Sequence, residues 1–248
     1  MQCIGIIPAR YASTRFPGKP LVDIQGKSMI QRVYEQALKC PSLDDVVVAT
    51  DDNRIFDHVS VFGRVVMTDT GISSGTERCL EALKSYNNHA NIDAVINIQG
   101  DEPFISPEQI ELVIEGLHEA GKTIVTLVKK IDDKELVANP NVVKVVFSHR
   151  GRALYFSRAP IPHISRQSGA EEKTNHPVHY KHLGLYGYHV SSLEQIVALP
   201  PGLLEKVESL EQLRWLEHNF DIYVKETTIE NIAIDTPEDL NNIPTADE

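Results

Sequence analysis

Short apolar runs at residues 4–7, 46–49, 65–67, 94–98 and 124–128 are rich in β-branched residues and recur along the first half of the chain. Each is too short for a helix and carries no polar alternation, the pattern of strands buried on both faces. Between them the spacing turns helical. Met29, Ile30, Val33, Ala37 and Leu38 share one stripe, as do Ile110, Val113, Ile114 and Leu117. Strand–helix alternation of this kind predicts a mostly parallel sheet with helices on both faces. One helix start is marked by its own chemistry. Ser106 is an N-cap, Pro107 suits the first turn, and Gln109 can close a capping box.

After residue 140 the rhythm changes. Runs at 142–147 and 153–156, joined by a turn at 148–151, read as an antiparallel hairpin. Residues 163–181 are polar and of mixed charge, a lid or an arm. A strand over 183–190 would place His182, Gly184, Tyr186 and Tyr188 on one face. Residues 203–216 read as one amphipathic helix, with Glu208, Glu211 and Trp215 along one side. A last strand at 229–234 leads into a capped final helix, Asp235-Thr236-Pro237-Glu238-Asp239-Leu240. The expectation is a single domain over 1–248, with 140–190 as an inserted, partly antiparallel subdomain.

Composition narrows the function classes. The chain of 248 residues carries 24 Lys+Arg against 35 Asp+Glu, a net charge of −11. That balance argues against nucleic acid or an anionic membrane as the main partner. The three cysteines are widely spaced, with no C-x-x-C pair, and read as reduced thiols. The apolar start lacks a basic n-region, so a signal peptide is not expected. No apolar run approaches the ~20 residues of a membrane span. A cytoplasmic protein is the expectation.

Against this acidic background, Arg10, Arg15 and Lys19 crowd one loop directly after the first strand. Arginine forks grip phosphate oxygens in pairs and lysine adds a point charge, so the loop suits a polyphosphate. It is not a Walker A loop, which needs glycine where Ser13 stands and Ser or Thr where Pro20 stands. No G-x-G-x-x-G occurs either. Asp101 and Asp235 each follow a strand, where ligands of open α/β sheets bind, and they suit Mg²⁺ shared with phosphates. Asp235 could equally cap the last helix, unless Thr236 caps it, and Asp101 could be a turn residue before Pro103. Ser73-Ser74-Gly75-Thr76-Glu77-Arg78 opens a helix and could meet a base edge or simply cap. His176, His179 and His182 recur every three residues, but they span a loop entering a strand and lack a fourth zinc ligand.

Eight segments taken together carry a resemblance. They are I-I-P-A-R-Y-A-S-T-R-F-P-G-K-P-L (6–21), S-G-T-E-R (74–78), N-I-Q-G-D-E-P (97–103), N-P-N-V-V-K-V-V (139–146), A-L-Y-F-S-R (153–158), H-L-G-L-Y-G-Y (182–188), L-E-Q-L-R (210–214) and D-T-P-E-D-L (235–240). In this order the chain resembles the bacterial 3-deoxy-manno-octulosonate cytidylyltransferases (CMP-KDO synthetases). The resemblance implies a Rossmann-like nucleotidyltransferase fold, a homodimer formed through the inserted subdomain, and Mg²⁺-dependent joining of CTP to KDO for lipopolysaccharide. It implies that Ala9, Arg10, Arg15, Lys19, Ser74 and Arg78 hold CTP. Asp101 and Asp235 would ligate Mg²⁺, and Gln99, Arg158, His182, Tyr186 and Glu211 would hold KDO. Arg15, Lys19, Asp101 and Asp235 would carry the chemistry. The chain departs from the family at Ile161-Pro162-His163-Ile164, where many members place an aromatic after the proline. A related acid such as amino-KDO or a sialic acid, or a non-catalytic sugar-nucleotide-binding role, are the alternatives.

Overall fold

The computed structural model describes residues 1–12, 16–87, 89–119, 121–164 and 179–243. In chain order the elements are β1 (Cys3–Ala9), β2 (Asp23–Ile24), β3 (Lys27–Ser28), α1 (Met29–Ala37), β4 (Asp45–Thr50), α2 (Asn53–Ser60), β5 (Val65–Met67), α3 (Gly75–Ser85), β6 (Ala94–Asn97) and α4 (Pro107–His118). There follow β7 (Ile124–Lys130), α5 (Lys134–Ala138), β8 (Lys144–Phe147), β9 (Ala153–Ser157), β10 (Tyr180–His189), α6 (Val190–Val197), α7 (Leu203–Glu208), α8 (Gln212–Glu217) and β11 (Tyr223–Glu226). A 3-10 turn over Pro237–Asn242 closes the described chain.

Seven strands line up as β11-β7-β10-β6-β1-β4-β5, with the β8–β9 hairpin attached to β10. β1 runs parallel to both β4 and β6, β4 to β5, and β11 to β7. Only β10 runs against its neighbours β6 and β7 within that row. After β1 the chain builds outward to β4 and β5, then returns to lay β6 on the other side of β1. That reversal is the topological switch point of an open α/β sheet, and a crevice opens beyond its carboxyl ends.

The period of two assigns each strand residue to one of two cores. Ile7, Val46, Val48 and Ile96 pack under α1, α2 and α4, whereas Ile4, Ile6, Val47 and Val95 pack on the α3, α6 and α8 side. This is the buried-on-both-faces sheet expected from the unbroken apolar runs. The stretch 140–190 is divided in space. β8 and β9 form the expected hairpin, paired Val145↔Phe156, while β10 lies inside the main sheet. Two extra residues bulge from β10 between Leu183 and Tyr186, and the Thr126 hydroxyl bonds the Leu183 and Leu185 carbonyls there. Parity survives, so His182, Tyr186 and Tyr188 share a face in a chain of ring contacts. Among the described residues no helix is long and apolar enough to cross a membrane.

Three expectations are corrected. Residues 229–234 form no strand. The outer strand is instead β11, and the segment after it crosses the carboxyl edge of the sheet on single bonds, Gln109 Nε2 to the Ile229 carbonyl and the Ile234 N–H to Asp101 O. Its apolar residues pin a crossing, which imitates a strand in sequence. Residues 203–216 are two helices, because Ser209 takes a left-handed φ of 53° and turns the chain between α7 and α8. The Ser106 cap is observed on the Glu108 N–H, but Gln109 reaches Ile229 and does not return to complete a box.

Candidate functional site

Beyond the carboxyl ends of β1, β4 and β6 lies a cavity of about 400 Å³ lined by Ala9, Arg10, Lys19, Arg78, Gln99 and Asp101 among others. Six residues singled out from sequence thus meet at the switch point, as sheet topology requires. The loop leaving β1 doubles back through Gly18, whose φ of 73° suits glycine and whose N–H bonds the Tyr11 carbonyl at 2.9 Å. The following 3-10 turn aims Lys19 into the cavity. Arg15 lies outside the described residues.

Lys19 Nζ sits 2.8 Å from Asp101 Oδ2 and 3.3 Å from Asp235 Oδ1. Two carboxylates 134 residues apart in sequence therefore converge on one cation. Asp235 is brought there by the crossing segment. Thr236 takes the N-cap position of the closing turn, and Asp239 Oδ2 accepts the Asp235 and Thr236 N–H groups at 2.8 Å each. That settles the local alternatives for Asp235: its backbone is held by Asp239, and its carboxylate faces Lys19. Convergent carboxylate oxygens of this kind also suit a divalent cation. Two oxygens that can share an ammonium can share Mg²⁺, with phosphate and water oxygens completing the shell. Among the described residues no group of three metal-binding side chains assembles, so an all-protein cage is not formed.

At the opposite wall Arg78 is fully buried and donates to Asp51 Oδ2 at 2.8 Å and to the Thr68 hydroxyl. Arg10 lies 3.9 Å from the same Asp51 oxygen. Burial and the neighbouring Arg78 charge push the Arg10 pKa down, and Asp51 opposes them. Ser74 caps α3 through the Glu77 N–H at 3.1 Å, so its hydroxyl has the capping role. Ser73 and Gly75 are the cavity-lining residues of that turn.

Gln99 connects this cavity to β10 by donating to the Gly184 carbonyl at 2.8 Å. On that side His182 contacts the Phe156 and Tyr186 rings, with its Nε2 3.0 Å from the Thr126 hydroxyl. Burial pushes the His182 pKa down to about 3, which leaves a neutral imidazole at neutral pH. Burial drives the pKa of the Tyr186 hydroxyl well up, and the nearby Thr126 hydroxyl opposes it. Glu211 accepts from Thr76 Oγ1 at 2.7 Å, and burial still raises its pKa. The Arg158 guanidinium donates to the carbonyls of Glu208, Pro140 and Ser209, tying the hairpin to the α7–α8 turn. His179 bonds the Pro162 carbonyl, and His182 has the separate partners above. His176 lies outside the described residues, so no histidine triad is seen.

Sequence reasoning missed Asp51, Thr68 and Glu102. Asp51 was accessible to it, since Asp51-Asp52 directly follow the apolar run of β4 at the end where ligands bind. Glu102 was not. It is buried beside Asp101 and accepts from Asn231 Nδ2 at 2.7 Å, and burial, then the Asp101 charge, pushes its pKa up to about 7.

A family model described as cytidylyltransferase matches residues 4–232. The chain is 49% identical over 241 residues to a 3-deoxy-manno-octulosonate cytidylyltransferase of Cytophaga hutchinsonii, covering 97% of this chain and 95% of that protein. To the protein of the same name from Parabacteroides distasonis it is 51% identical, covering 97% and 96%. A solved CMP:2-keto-3-deoxy-manno-octonic acid synthetase complexed with CTP superposes with a TM-score of 0.89 at 39% identity, covering 98% of this chain and 96% of that one.

Proposed function

We propose a reaction for this chain, which belongs to the cytidylyltransferase family: CTP and 3-deoxy-D-manno-octulosonate (KDO) give CMP-KDO and pyrophosphate. The observation that carries it is the meeting of Arg10, Lys19, Arg78, Asp101 and Gln99 in one cavity at the switch point. The likeness to a synthetase with CTP bound, over nearly the whole of both chains, supports it.

In this reaction the anomeric hydroxyl of KDO attacks the α-phosphorus of CTP in line. The new O–P bond forms as the bond to the β-phosphate oxygen breaks, and the hydroxyl proton leaves to solvent or a nearby base. Such transfers need positioning and charge neutralisation more than covalent catalysis. Arg10 and Lys19 supply the positive charge for the triphosphate, and Lys19 lies on the Asp101 side, where the reacting phosphate would sit. Arg15 belongs to the same loop and joins them in this reading. Asp101 and Asp235 would hold Mg²⁺, with Lys19 beside them. When bound, Mg²⁺ would neutralise charge at the α-phosphate and lower the pKa of the attacking hydroxyl. Arg78 and the Ser74–Gly75 turn frame the base. Gln99, Arg158, neutral His182, Tyr186 and Glu211 are the groups proposed to receive the sugar. The expected supply is activated sugar for lipopolysaccharide, made in the cytoplasm by a homodimer. Leu154 on β9 and Leu203 and Val207 on α7 are exposed apolar side chains that a partner copy could cover.

Pyrophosphate release from CTP, measured with and without KDO and then with EDTA, tests the reading. Release that needs both KDO and a divalent cation is expected. Release only with an amino-KDO or a sialic acid would move the substrate, and silence with every acid would overturn catalysis in favour of a binding role. Sedimentation tests the dimer.

A further inference from the structure

We propose that Asp51, on the turn after β4, is a positioning residue that sets the two guanidinium groups of the nucleotide cleft, Arg10 and Arg78. This inference rests on the CTP reading above and names a residue that reading does not use.

The geometry is that of a shared counter-charge. Asp51 Oδ2 accepts from Arg78 at 2.8 Å and lies 3.9 Å from Arg10 Nε. Arg78 is fully buried in the protein, where an unpaired charge would be costly. Its second partner, the Thr68 hydroxyl, itself donates to the Thr50 carbonyl at 3.1 Å. Thr50 and Asp51 are consecutive, and β4 pairs directly with both β1 and β5. Arg78 is thus held by two points on adjacent strand ends, and a guanidinium is planar, so two anchored nitrogens fix its plane. Arg10 gains the other benefit. It leaves β1 beside a like charge, and Asp51, ahead of Glu77, offsets their repulsion. The neighbouring Asp52 extends the same turn. It caps α2 and pairs with Arg54 at 2.6 Å, and Arg54 stacks over the Tyr11 ring at 3.2 Å, beneath the loop that carries Lys19. The turn after β4 therefore orders the cleft's cations from below without lining the cavity.

The test compares Asp51→Asn and Asp51→Glu with the unsubstituted chain. Steady-state pyrophosphate release is measured against CTP and KDO separately, and CTP affinity by calorimetry. Because the Asp51 carboxylate sets both guanidinium groups before CTP arrives, Asp51→Asn should raise KM and Kd for CTP by about tenfold, equivalent to roughly 1.4 kcal/mol. The value of kcat at saturating CTP and the KM for KDO should stay near those of the unsubstituted chain. Asp51→Glu, which keeps the charge and displaces it by one methylene, should fall between. A folded Asp51→Asn with unchanged CTP affinity overturns the proposal. A uniform loss of kcat with both KM values flat does so too, since that is the mark of general structural damage. If Asp51→Asn does not fold, Asp51→Glu carries the test, and a flat KM for CTP overturns it. An unsubstituted chain that binds CTP but releases no pyrophosphate would sink the reaction while leaving the positioning role readable by calorimetry.

Discussion

Gly100 sits where β6 delivers Gln99 and Asp101 to the cleft, and a methyl group there is the most incisive single perturbation the structure offers. A Cβ on Gly100 would lie 2.7 Å from the Pro8 carbonyl oxygen, about 0.7 Å short of the 3.4 Å at which ordinary contact begins. Both sides of that contact are backbone, so no side chain can swing away. Pro8 is paired with Ala49 within β1, and Gly100 is flanked by Gln99 and Asp101. The strain must open the junction between the β1 and β6 loops, carrying Asp101 away from Lys19 and Ala9. Overpacking of this kind costs about 1–3 kcal/mol. In a chain of this size each kcal/mol lowers the melting temperature by roughly 2–4 °C. Displacement of reacting groups by on the order of 1 Å costs about a hundredfold in rate. Gly100→Ala should therefore lose between about ten- and a hundredfold in kcat/KM while remaining folded, as read by pyrophosphate release beside a thermal melt. A variant with a lowered melting temperature and undiminished kcat/KM would refute the placement of the reacting phosphate beside Lys19 and Asp101.

Asp101→Asn and Asp235→Asn should each lower turnover by about a hundredfold or more and shift the Mg²⁺ titration to higher concentration, with circular dichroism unchanged. Retained activity with an unshifted titration would remove both from metal binding. The pKa of His182, pushed down to about 3 from 6.5, implies that the unfolded chain takes up a proton the folded one refuses. Its contribution is full above pH 6.5 and is lost as the pH falls toward 3. Glu102, pushed up to about 7, acts in the opposite sense, adding stability as the pH falls from 7 toward 4.5. The difference in urea midpoint between the unsubstituted chain and His182→Gln cancels the Glu102 contribution. It should shrink as the pH is lowered below 6.5, and a constant difference would contradict the buried neutral imidazole. All three cysteines are buried, and burial pushes Cys3 and Cys40 up to about 11 and Cys79 well up. A thiol reagent at pH 8 should find almost none in the native protein and all three in denaturant; rapid native labelling would mean that one core opens readily.

The sheet was legible because burial on both faces demands continuous apolar runs. Those at 4–7, 46–49, 65–67, 94–98 and 124–128 all lie in strands, give or take a residue at the ends. The cationic loop after β1 was legible because charge crowding in an acidic chain needs a reason, and Asp101 because it stands at a strand end. Local sequence also marked the Ser106 cap and the hairpin of β8 and β9, whose determinants lie within a few residues. What it could not carry was the path of the chain between distant segments. The run 229–234 has a strand's composition, yet it crosses the sheet edge because β11 already occupies the outer position beside β7. One residue, Ser209 in a left-handed turn, splits a stretch whose apolar spacing would suit a single helix. Arg158 belongs to a motif and still spends its guanidinium on three carbonyls, since only tertiary contacts decide which acceptors a fork meets. Asp51 stands after a strand as Asp101 does, but its part comes from Arg78 and Arg10, brought to it from other strands and helices. Hydrophobic period and local capping act over a few residues and can be read from the chain. The convergence of Lys19, Asp101 and Asp235 depends on how strands order themselves around β1, which is a property of the packed sheet.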